Sequence, residues 1–505
     1  MHKPPSPEEF HRLQERMKSV YQAVFSDPLQ ERTVVVVPSL TLDAETIGTI
    51  QGAHHYEERM LCLLMLLRYP RAKLVFLSST QIDPSIVDYY LHLLQGIPST
   101  HARGRLRMMH CHDASPRSLT QKLLERPRLL DRIRREIENP ETAHLTCFTV
   151  TDLERQLAMA LDIPIFGCDP ELEHLGSKSG SREVFREAGV PIAPGSENLR
   201  DMDEAAEALA KLKREHPDTR RAAVKINEGF SGAGNAIFRF DDAPEGDGLL
   251  PWVQSELRSR LDYEADDMDW DLFSWKFEQM EGIVEAFIEG ENKQSPSVQL
   301  RVEPDGSLVE ASTHDQVLGG HTGQVFVGCR FPADEAYRDD IQHYAGLAGD
   351  VMRKRGVLGR FAVDFVSVPR NGGWDHYAIE VNLRKGGTTH PFLMLQFLTD
   401  GRYDESDGVF RTLSGEQRTY FASDNLKSEC YRGLAPTDLI DIAVRRELHF
   451  HGATQQGVVF HLIGALSEFG KLGVVAVGDT PEKAQELYDQ TVQALDEECG
   501  SDSCT

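Results

Sequence analysis

The chain lacks any long hydrophobic run. No apolar stretch approaches the roughly 20 residues that a membrane-spanning helix needs, and the segment LCLLMLLRYP at 61–70 is too short. It follows the charged sequence HHYEER, which indicates a buried helix rather than a membrane span. The N-terminal sequence MHKPPSPEEFHRLQERM has no apolar signal region. We therefore predict a cytoplasmic protein with no membrane partner.

The chain also lacks an excess of basic residues. Its 505 residues include 54 Lys and Arg against 80 Asp and Glu, which gives a net charge of −26. Nucleic-acid phosphates require a basic surface, so this balance argues against a nucleic-acid partner. Any anionic ligand must instead bind in a local cluster of the basic residues.

Paired cysteines are a third absence. The eight cysteines are scattered and include no CxxC pair. This spacing predicts neither a disulfide framework nor a structural zinc site.

The N-terminal third predicts an α/β domain. Ser6-Pro7-Glu8-Glu9 is a good helix start, and an apolar stripe follows it, so residues 1–30 are predicted as an N-terminal helix. Residues 31–170 alternate between predicted strands and helices, which is typical of a parallel, doubly wound sheet. The predicted strands are TVVVVP, KLVFLSS, RLRMMHC, HLTCFTV and IPIFG, and the predicted helices lie around 54–68, 84–95, 117–137 and 151–162. No GxGxxG follows any of these strands, so a dinucleotide site is not expected there.

A glycine-rich loop lies further along, in RAAVKINEGFSGAGNAIFRF at 221–240. AAVKIN and NAIFRF read as two strands, with Lys225 on the polar face just before the loop. Gly229 and Gly234 have the P-loop spacing, but Asn235-Ala236 replace the required Lys-Ser/Thr. The dinucleotide fingerprint also fails, because a strand follows rather than a helix. The remaining interpretations are a phosphate-binding flap and an ordinary flexible hairpin, and Lys225 favours the flap.

A second predicted hairpin lies at 360–385, in GRFAVDFVSVPRNGGWDHYAIEVNLRK. Because strand side chains alternate between faces, Asp364 in the first strand and Glu380 and Asn382 in the second can converge on one point. Two carboxylates and an amide oxygen suit Mg²⁺, or Mn²⁺ in its place. Arg384 continues the same face. The alternative is a hairpin with a polar, solvated face.

Taken in order, these segments resemble the ATP-grasp ligases. The series starts at Lys178 in GSKSGSREVFREAGVPIAPG, continues through Lys225, the glycine flap and the strand GIVEAFIEG, and ends at Asp364, Glu380 and Asn382. The resemblance covers roughly 170–420. It implies that Lys178, Lys225 and the flap residues hold the phosphates of ATP, and that the last three residues hold Mg²⁺. The flap residues are Gly229, Ser231, Gly232 and Gly234.

The resemblance also assigns roles in adenine, ribose and intermediate binding. Glu285 and Ile288 would form the hinge that reads adenine, and Glu289 would hold ribose, with Glu291 as its rival. Arg384 matches the family arginine that steadies an acyl phosphate and the tetrahedral intermediate. Lys385 and His390 follow closely and are weaker candidates for reading the donor carboxylate.

A narrower resemblance is to the pheganomycin-type peptide ligases. It is carried by NLRKGGTTHPFLMLQFLTDGRYD and by the C-terminal GVVFHLIGALSEFGKLGVVAVGDTPEKAQELYDQTVQAL. It implies a multidomain α/β and α+β protein with a pre-ATP-grasp α/β domain at 31–170 and an ATP-grasp domain at 171–420. A helical insertion is expected at about 241–280, a small α+β C-terminal domain at 421–498 and a tail at 499–505.

The two resemblances together imply an ATP-dependent carboxylate–amine ligase. It would form a peptide or other amide bond through an acyl phosphate and release ADP and phosphate. Its substrates would be a small-molecule or amino-acid carboxylate and an amine or peptide acceptor, and such ligases are often homodimers. The alternatives are an ATP-grasp enzyme that phosphorylates or activates a non-peptide molecule, and a non-catalytic nucleotide-binding protein.

Overall fold

The computed structural model describes residues 7–42, 44–229, 234–265, 267–319 and 325–500. The chain begins with two consecutive helices, α1 (Pro7–Gln14) and α2 (Arg16–Ser26). Their apolar stripe is buried as predicted, at Phe10, Leu13, Met17, Val20 and Val24. The predicted cap, Ser6, lies outside the described residues.

A parallel sheet follows, which confirms the predicted doubly wound arrangement. Its strands have the spatial order β3-β2-β1-β4 and are β1 (Arg32–Val37), β2 (Ala72–Ser78), β3 (Leu106–His110) and β4 (Ala143–Cys147). The helices of this region are α3 (Ala44–Thr49), α4 (Pro84–His92), α5 (Ser99–Gly104), α6 (Leu119–Leu124), α7 (Pro127–Glu136) and α8 (Asp152–Leu161), with 3₁₀ helices at Ala53–Arg68 and Pro140–Thr142. The prediction of a fifth strand at IPIFG is wrong, because Ile165 forms only an isolated bridge to Leu145. Pro164 within that segment has no backbone N–H to donate to a ladder.

An antiparallel five-stranded sheet comes next, in the spatial order β5-β9-β6-β7-β8. Its strands are β5 (Gly195–Leu199), β6 (Arg221–Ile226), β7 (Asn235–Arg239), β8 (Leu261–Tyr263) and β9 (Gly282–Ala286). Its helices are α9 (Lys178–Ala188), α10 (Met202–Glu215), α11 (Leu249–Arg260) and α12 (Trp270–Met280), with 3₁₀ helices at Pro170–Gly176 and Gly246–Gly248. The predicted hairpin of AAVKIN and NAIFRF is confirmed, since Lys225 pairs with Asn235.

The helical insertion at 241–280 is part of this domain's core. Its strand β8 extends the sheet, and Phe273 and Phe277 of α12 are fully buried against it. Trp252 packs edge-on against Phe238 of β7, with ring centroids 6.0 Å apart. Trp275, in contrast, is 52% exposed.

We expect Phe273→Ala to lower the free energy of unfolding by about 3–5 kcal/mol, because it leaves a cavity where a fully buried ring packed. Chemical denaturation would measure the change. Trp275→Ala on the same helix is the matched control, and we expect it to change stability by no more than about 0.5 kcal/mol. Equal effects of the two substitutions would contradict a core role for this face of α12.

The largest sheet has eight strands in the order β14-β13-β10-β11-β12-β17-β19-β18. Two further strands, β15 and β16, pair with each other in a separate antiparallel sheet. The strands are β10 (Pro296–Val302), β11 (Leu308–Gly319), β12 (Val325–Phe331), β13 (Gly359–Arg370), β14 (Gly373–Asn382), β15 (Arg402–Asp404), β16 (Val409–Arg411), β17 (Thr419–Lys427), β18 (Gly457–His461) and β19 (Lys471–Gly478). The helices are α13 (Arg338–Lys354), α14 (Thr389–Thr399), α15 (Pro436–Arg445), α16 (Leu466–Phe469) and α17 (Pro481–Glu498), with 3₁₀ helices at Glu429–Tyr431 and Ile463–Ala465.

The C-terminal segment is joined to the preceding one through this sheet. β17 pairs with β12 on one side and with β19 on the other, so the ladder runs across the predicted boundary at 420/421. The predicted cap of the final helix is confirmed, since the Thr480 hydroxyl accepts a hydrogen bond from the Lys483 N–H. The exact domain boundaries stay a prediction.

The described cysteines include one that forms a disulfide bond. Cys430 is disulfide-bonded, whereas the other six cysteines among the described residues are free. A single disulfide leaves no spacing pattern in a sequence, so the absence of CxxC pairs could not exclude it. In the described part of the chain, no helix has both the length and the apolar character needed to cross a membrane.

Candidate active site

The hairpin of β13 and β14 brings the three predicted metal ligands together. Asp364 pairs directly with Glu380, and Ala362 with Asn382. The Asn382 amide nitrogen donates hydrogen bonds to Asp364 Oδ2 over 2.8 Å and to Glu380 Oε1 over 3.3 Å. A bulge after Asp364 locally bends the ladder. The result is one cluster of two carboxylates and an amide, in which the amide nitrogen of Asn382 faces both carboxylates.

The two carboxylates of this cluster differ in their electrostatics. Burial and the neighbouring charge of Glu380 raise the pKa of Asp364 to about 7, although Ser297 and Gln316 hydrogen bond to it. Burial also opposes ionisation of Glu380, but Lys178, Lys225 and Arg384 outweigh it and lower the pKa of Glu380. Paired, partly buried carboxylates of this kind are stabilised by a cation placed between them.

Lys178 lies at the N-terminus of α9, within 3.6 Å of Glu380 Oε2. Ser177 caps the helix by accepting a hydrogen bond from the Gly180 N–H over 3.0 Å. Ser179 donates through both its N–H and its hydroxyl to Asn227 Oδ1, which joins the helix start to the end of β6. Lys178 is thereby positioned between the carboxylate cluster and the base of the glycine loop.

Lys225 of β6 is paired with Glu285 of β9. Its Nζ lies 2.7 Å from Glu285 Oε1, and Arg182 Nη1 lies 2.9 Å from Glu285 Oε2. All three side chains are buried. Arg182 was not predicted from the sequence, since it comes from α9, about a hundred residues before Glu285. Arg182 also pairs with Glu197 over 3.2 Å, so Lys225 and Arg182 are held in place by two carboxylates.

The described base of the glycine loop and the hinge also belong to the site. Gly229 and Gly234 flank the loop, whereas Ser231 and Gly232 lie outside the described residues. A Cβ built on Gly229 would lie 3.8 Å from Lys178 Nζ, so the loop begins close to this lysine. Ala286 at the end of β9 and the next two residues, Phe287 and Ile288, line the cavity.

The two candidates for holding ribose, Glu289 and Glu291, lie apart from the other predicted site residues. Glu289, the ribose candidate, forms a two-point ion pair with Arg221 over 2.8 and 2.6 Å and is half exposed. Its rival Glu291 is exposed. Neither is among the described residues that line the cavity. The ribose assignment stays a prediction.

The predicted site residues that follow β14 lie in different places. Arg384 lines the cavity beside the carboxylate cluster. Lys385 instead donates to the Cys147 carbonyl at the end of β4, and burial lowers its pKa to about 8. His390 is buried and lies 2.9 Å from His461, measured between their Nε2 atoms. The structure therefore groups Arg384 with the predicted site and places Lys385 against the parallel sheet.

The predicted site residues that the structure groups together line one cavity of about 410 Å³. Its lining includes the hinge residues Ala286, Phe287 and Ile288, the lysines Lys178 and Lys225, the cluster of Asp364, Glu380 and Asn382, and Arg384. It continues to residues of three other elements, the 3₁₀ helix Ala53–Arg68, β17 and β19. This size lies within the usual range for small-molecule sites.

Comparisons with known proteins agree with this arrangement. Residues 170–244 and 254–406 match the family model described as IQCH-like, ATP-grasp, and residues 438–491 match the PGM1 C-terminal domain. The L-propargylglycine--L-glutamate ligase of Streptantibioticus cattleyicolor is 31% identical over 487 residues, covering 95% of this chain and 97% of that protein. IQ motif-containing protein H of Danio rerio is 24% identical, over 77% of this chain and 40% of its own length.

Solved structures share the fold. The biotin carboxylase domain of Hydrogenobacter thermophilus 2-oxoglutarate carboxylase, in complex with MgADP, ADP and bicarbonate, is 14% identical with a TM-score of 0.54. It covers 92% of this chain and 89% of that chain. A biotin carboxylase complex with an ATP analogue from Campylobacter jejuni is 12% identical with a TM-score of 0.53, over 93% and 95% of the two chains. At these identities the likeness concerns the fold alone.

Proposed function

Because the chain belongs to the ATP-grasp ligases of the pheganomycin peptide-ligase type, we propose that it activates an amino-acid-like carboxylate with ATP and joins it to an amine. The observation that carries this proposal is the convergence, in one cavity, of an oxygen-donor cluster and three cations from separate elements. The similarity over nearly the whole length of an amino-acid ligase supports it.

The donor set of the cluster fits magnesium. Asp364 and Glu380 offer hard carboxylate oxygens, which Mg²⁺ prefers, and the cluster contains no sulfur or imidazole. The amide nitrogen of Asn382 donates to both carboxylates, so Asn382 would offer its oxygen to a cation once the amide is turned over. When bound, Mg²⁺ would neutralise the charge on the β- and γ-phosphates during transfer. Mn²⁺ would suit the same ligands.

The chain's own cations act on the phosphates and on the reacting carbon. Lys178 and Lys225 hold the phosphates, and the glycine loop covers them and excludes water. A substrate carboxylate oxygen attacks the γ-phosphorus, the bond to the β–γ bridging oxygen breaks, and ADP leaves. The amine nitrogen then attacks the acyl carbon, the bond from this carbon to the phosphate oxygen breaks, and the amine loses its proton to solvent. Arg384 stabilises the oxyanion of the tetrahedral intermediate.

The test is an incubation of the protein with Mg-ATP and pooled amino acids and short peptides, analysed by mass spectrometry. We expect ADP together with a product whose mass equals two components minus water. AMP formation would contradict the acyl-phosphate route, and ADP without a condensed product would contradict amide formation from these substrates. Omitting ATP is the control, since no condensed product should then form. Homodimerisation and a cytoplasmic location stay predictions.

A further inference from the structure

The parallel sheet of the N-terminal region has one covered edge and one open edge. At the β4 edge, the Leu145 N–H donates to the Pro164 carbonyl over 2.8 Å, and the Phe166 N–H donates to the Leu145 carbonyl over 2.9 Å. At the other edge, β3 pairs with β2 alone among the described strands. An open strand edge can accept a further strand, and proteins normally cover or blunt such edges. The β3 edge is therefore a candidate docking surface.

The register of β3 shows which of its backbone groups face outward. The Leu74 N–H donates to the Arg105 carbonyl, and the Cys111 N–H donates to the Ser78 carbonyl, each over 3.0 Å. Residues of a strand that bond to one neighbour alternate with residues whose N–H and C=O groups point to the other side. The residues of β3 that point their backbone groups away from β2 are therefore Leu106, Met108 and His110.

Two of these three residues keep their backbone groups open. Arg107 Nη1 donates to the Leu106 carbonyl over 3.0 Å, so this part of the edge is already occupied. The described residues supply no hydrogen bond to the backbone of Met108 or His110. An incoming strand would thus find its hydrogen-bond partners at these two positions.

A groove of about 510 Å³ lies beside this edge and is lined on its other side by α7. The lining includes Arg107 and Met108 of β3 and Arg132, Arg135 and Glu136 of α7. Glu136 is neutralised, because it pairs with Arg107 over 3.1 Å and with Lys73 over 2.9 Å. Arg132 and Arg135 are exposed, and no described carboxylate pairs with either of them. The groove therefore presents unmatched positive charge beside the open backbone.

The charge of this region is opposite to that of the whole chain. Residues 101–137 contain ten Lys and Arg against four Asp and Glu, whereas the chain has a net charge of −26. Each of the four carboxylates in this region already pairs with an arginine. A local basic surface on an acidic protein attracts acidic partners and repels other basic surfaces.

The backbone and the charges together favour one kind of partner. Symmetric pairing of β3 with the β3 of a second copy would bring Arg107, Arg132 and Arg135 towards like charges. Nucleic acid would match the arginines, but it has no strand backbone to pair with Met108 and His110. An extended acidic peptide segment satisfies both the open backbone and the arginines.

We propose that the β3 edge and α7 bind an acidic, extended segment of a partner protein, which adds a fifth strand to the four-stranded sheet. Its backbone pairs with Met108 and His110. Since strand side chains alternate between faces, every second side chain faces α7, and carboxylates at these positions meet Arg132 and Arg135. None of these residues is among the described residues that line the active-site cavity, so the inference is independent of the proposed function.

The first experiment measures binding of a defined probe to the full chain by fluorescence anisotropy. The probe is a fluorescein-labelled peptide of about nine residues in which Glu and Val alternate. The comparison peptide has Gln in place of every Glu. We expect the acidic peptide to bind at least about tenfold more tightly at low salt, with the difference reduced at high salt. Equal binding of the two peptides, or no binding of the acidic one, would overturn the inference.

Charge reversal tests the role of α7. We expect Arg132→Glu/Arg135→Glu to weaken binding of the acidic peptide at least about tenfold. Lys211→Glu/Arg214→Glu is the matched control, since these two residues have the same spacing, are exposed and lie in the last turn of α10. The control should change binding by less than about twofold. An equal loss in both variants would reduce the effect to net charge and overturn the inference.

A proline substitution tests the strand pairing itself. Met108→Pro removes an N–H that points away from β2 and leaves the ladder bonds of Arg107 and Met109 to β2 in place. We expect cooperative unfolding to be retained and binding of the acidic peptide to fall at least about tenfold. Unchanged binding in the folded variant would overturn the inference. If the variant does not fold, an acidic peptide with Pro in place of every Val replaces this test, and binding equal to that of the Glu–Val peptide would overturn it.

Two further measurements distinguish the other occupants. A single-stranded DNA oligonucleotide that binds more tightly than the acidic peptide, and loses affinity in Arg132→Glu/Arg135→Glu, would overturn the inference in favour of nucleic acid. Sedimentation velocity of the full chain tests a second copy. A dimer that dissociates on Met108→Pro would show that the β3 edge is a self-association surface and would also overturn the inference.

Discussion

Replacing Glu380 with Gln is expected to reduce ATP-dependent ligation at least about 1,000-fold, or roughly 4 kcal/mol of transition-state stabilisation. Gln keeps the size of the side chain and its ability to accept a hydrogen bond from Asn382, but it removes the carboxylate charge. The site then loses the charge opposite Asp364 that a divalent cation requires. Lys178 also loses its carboxylate partner. The measurement is ADP release at saturating ATP over a range of Mg²⁺ concentrations.

The control for this substitution lies on the same strand. Asp375→Asn removes a half-exposed carboxylate of β14 that pairs with Arg370 at the far end of the hairpin. We expect activity within about twofold of the unchanged protein, because exposed ion pairs contribute little. Cooperative thermal unfolding should be retained in both variants. Full activity of a folded Glu380→Gln protein would reject the metal assignment.

Local patterns were sufficient to predict the hairpin that carries the cluster. Alternation in FAVDFV and YAIEVN specifies which side chains share a face, and the turn at Asn371 to Gly373 specifies which residues pair. The same reasoning correctly predicted that Lys225 stands just before a hairpin loop. Both predictions depend on residues that are close in sequence, where strand periodicity is informative.

Contacts between distant segments could not be predicted in this way. Arg182 of α9 reaches Glu285 of β9, and Arg59 of the first 3₁₀ helix reaches Asp424 of β17. No spacing rule connects such pairs, because their proximity is created by the packing of whole domains. The continuation of the large sheet into β17, β18 and β19 likewise depends on pairing between segments that are distant in the sequence. It explains why the C-terminal segment, predicted as a separate domain, lines the cavity.

Replacing Arg384 with Lys is expected to lower kcat about 100- to 1,000-fold while leaving the KM for ATP nearly unchanged. Arg384 lies beside the carboxylate cluster, and its charge lowers the pKa of Glu380. Lys keeps that charge but loses the planar fork of donors that can hold an oxyanion and a phosphate oxygen together. An interaction made mainly in the transition state affects kcat more than ground-state binding. Steady-state kinetics of ADP release and of product formation would measure kcat and the KM for ATP separately.

Arg370→Lys is the matched control, since Arg370 is half exposed at the far end of β13 and pairs with Asp375. We expect it to change neither kcat nor KM by more than about twofold. Two results would contradict the role of Arg384. A raised KM for ATP with unchanged kcat would make it a ground-state nucleotide ligand. An equal loss of ADP release with and without the amine would place its effect at carboxylate phosphorylation rather than at the tetrahedral intermediate. A loss confined to the condensation step, with phosphorylation retained, is what an oxyanion-stabilising arginine requires.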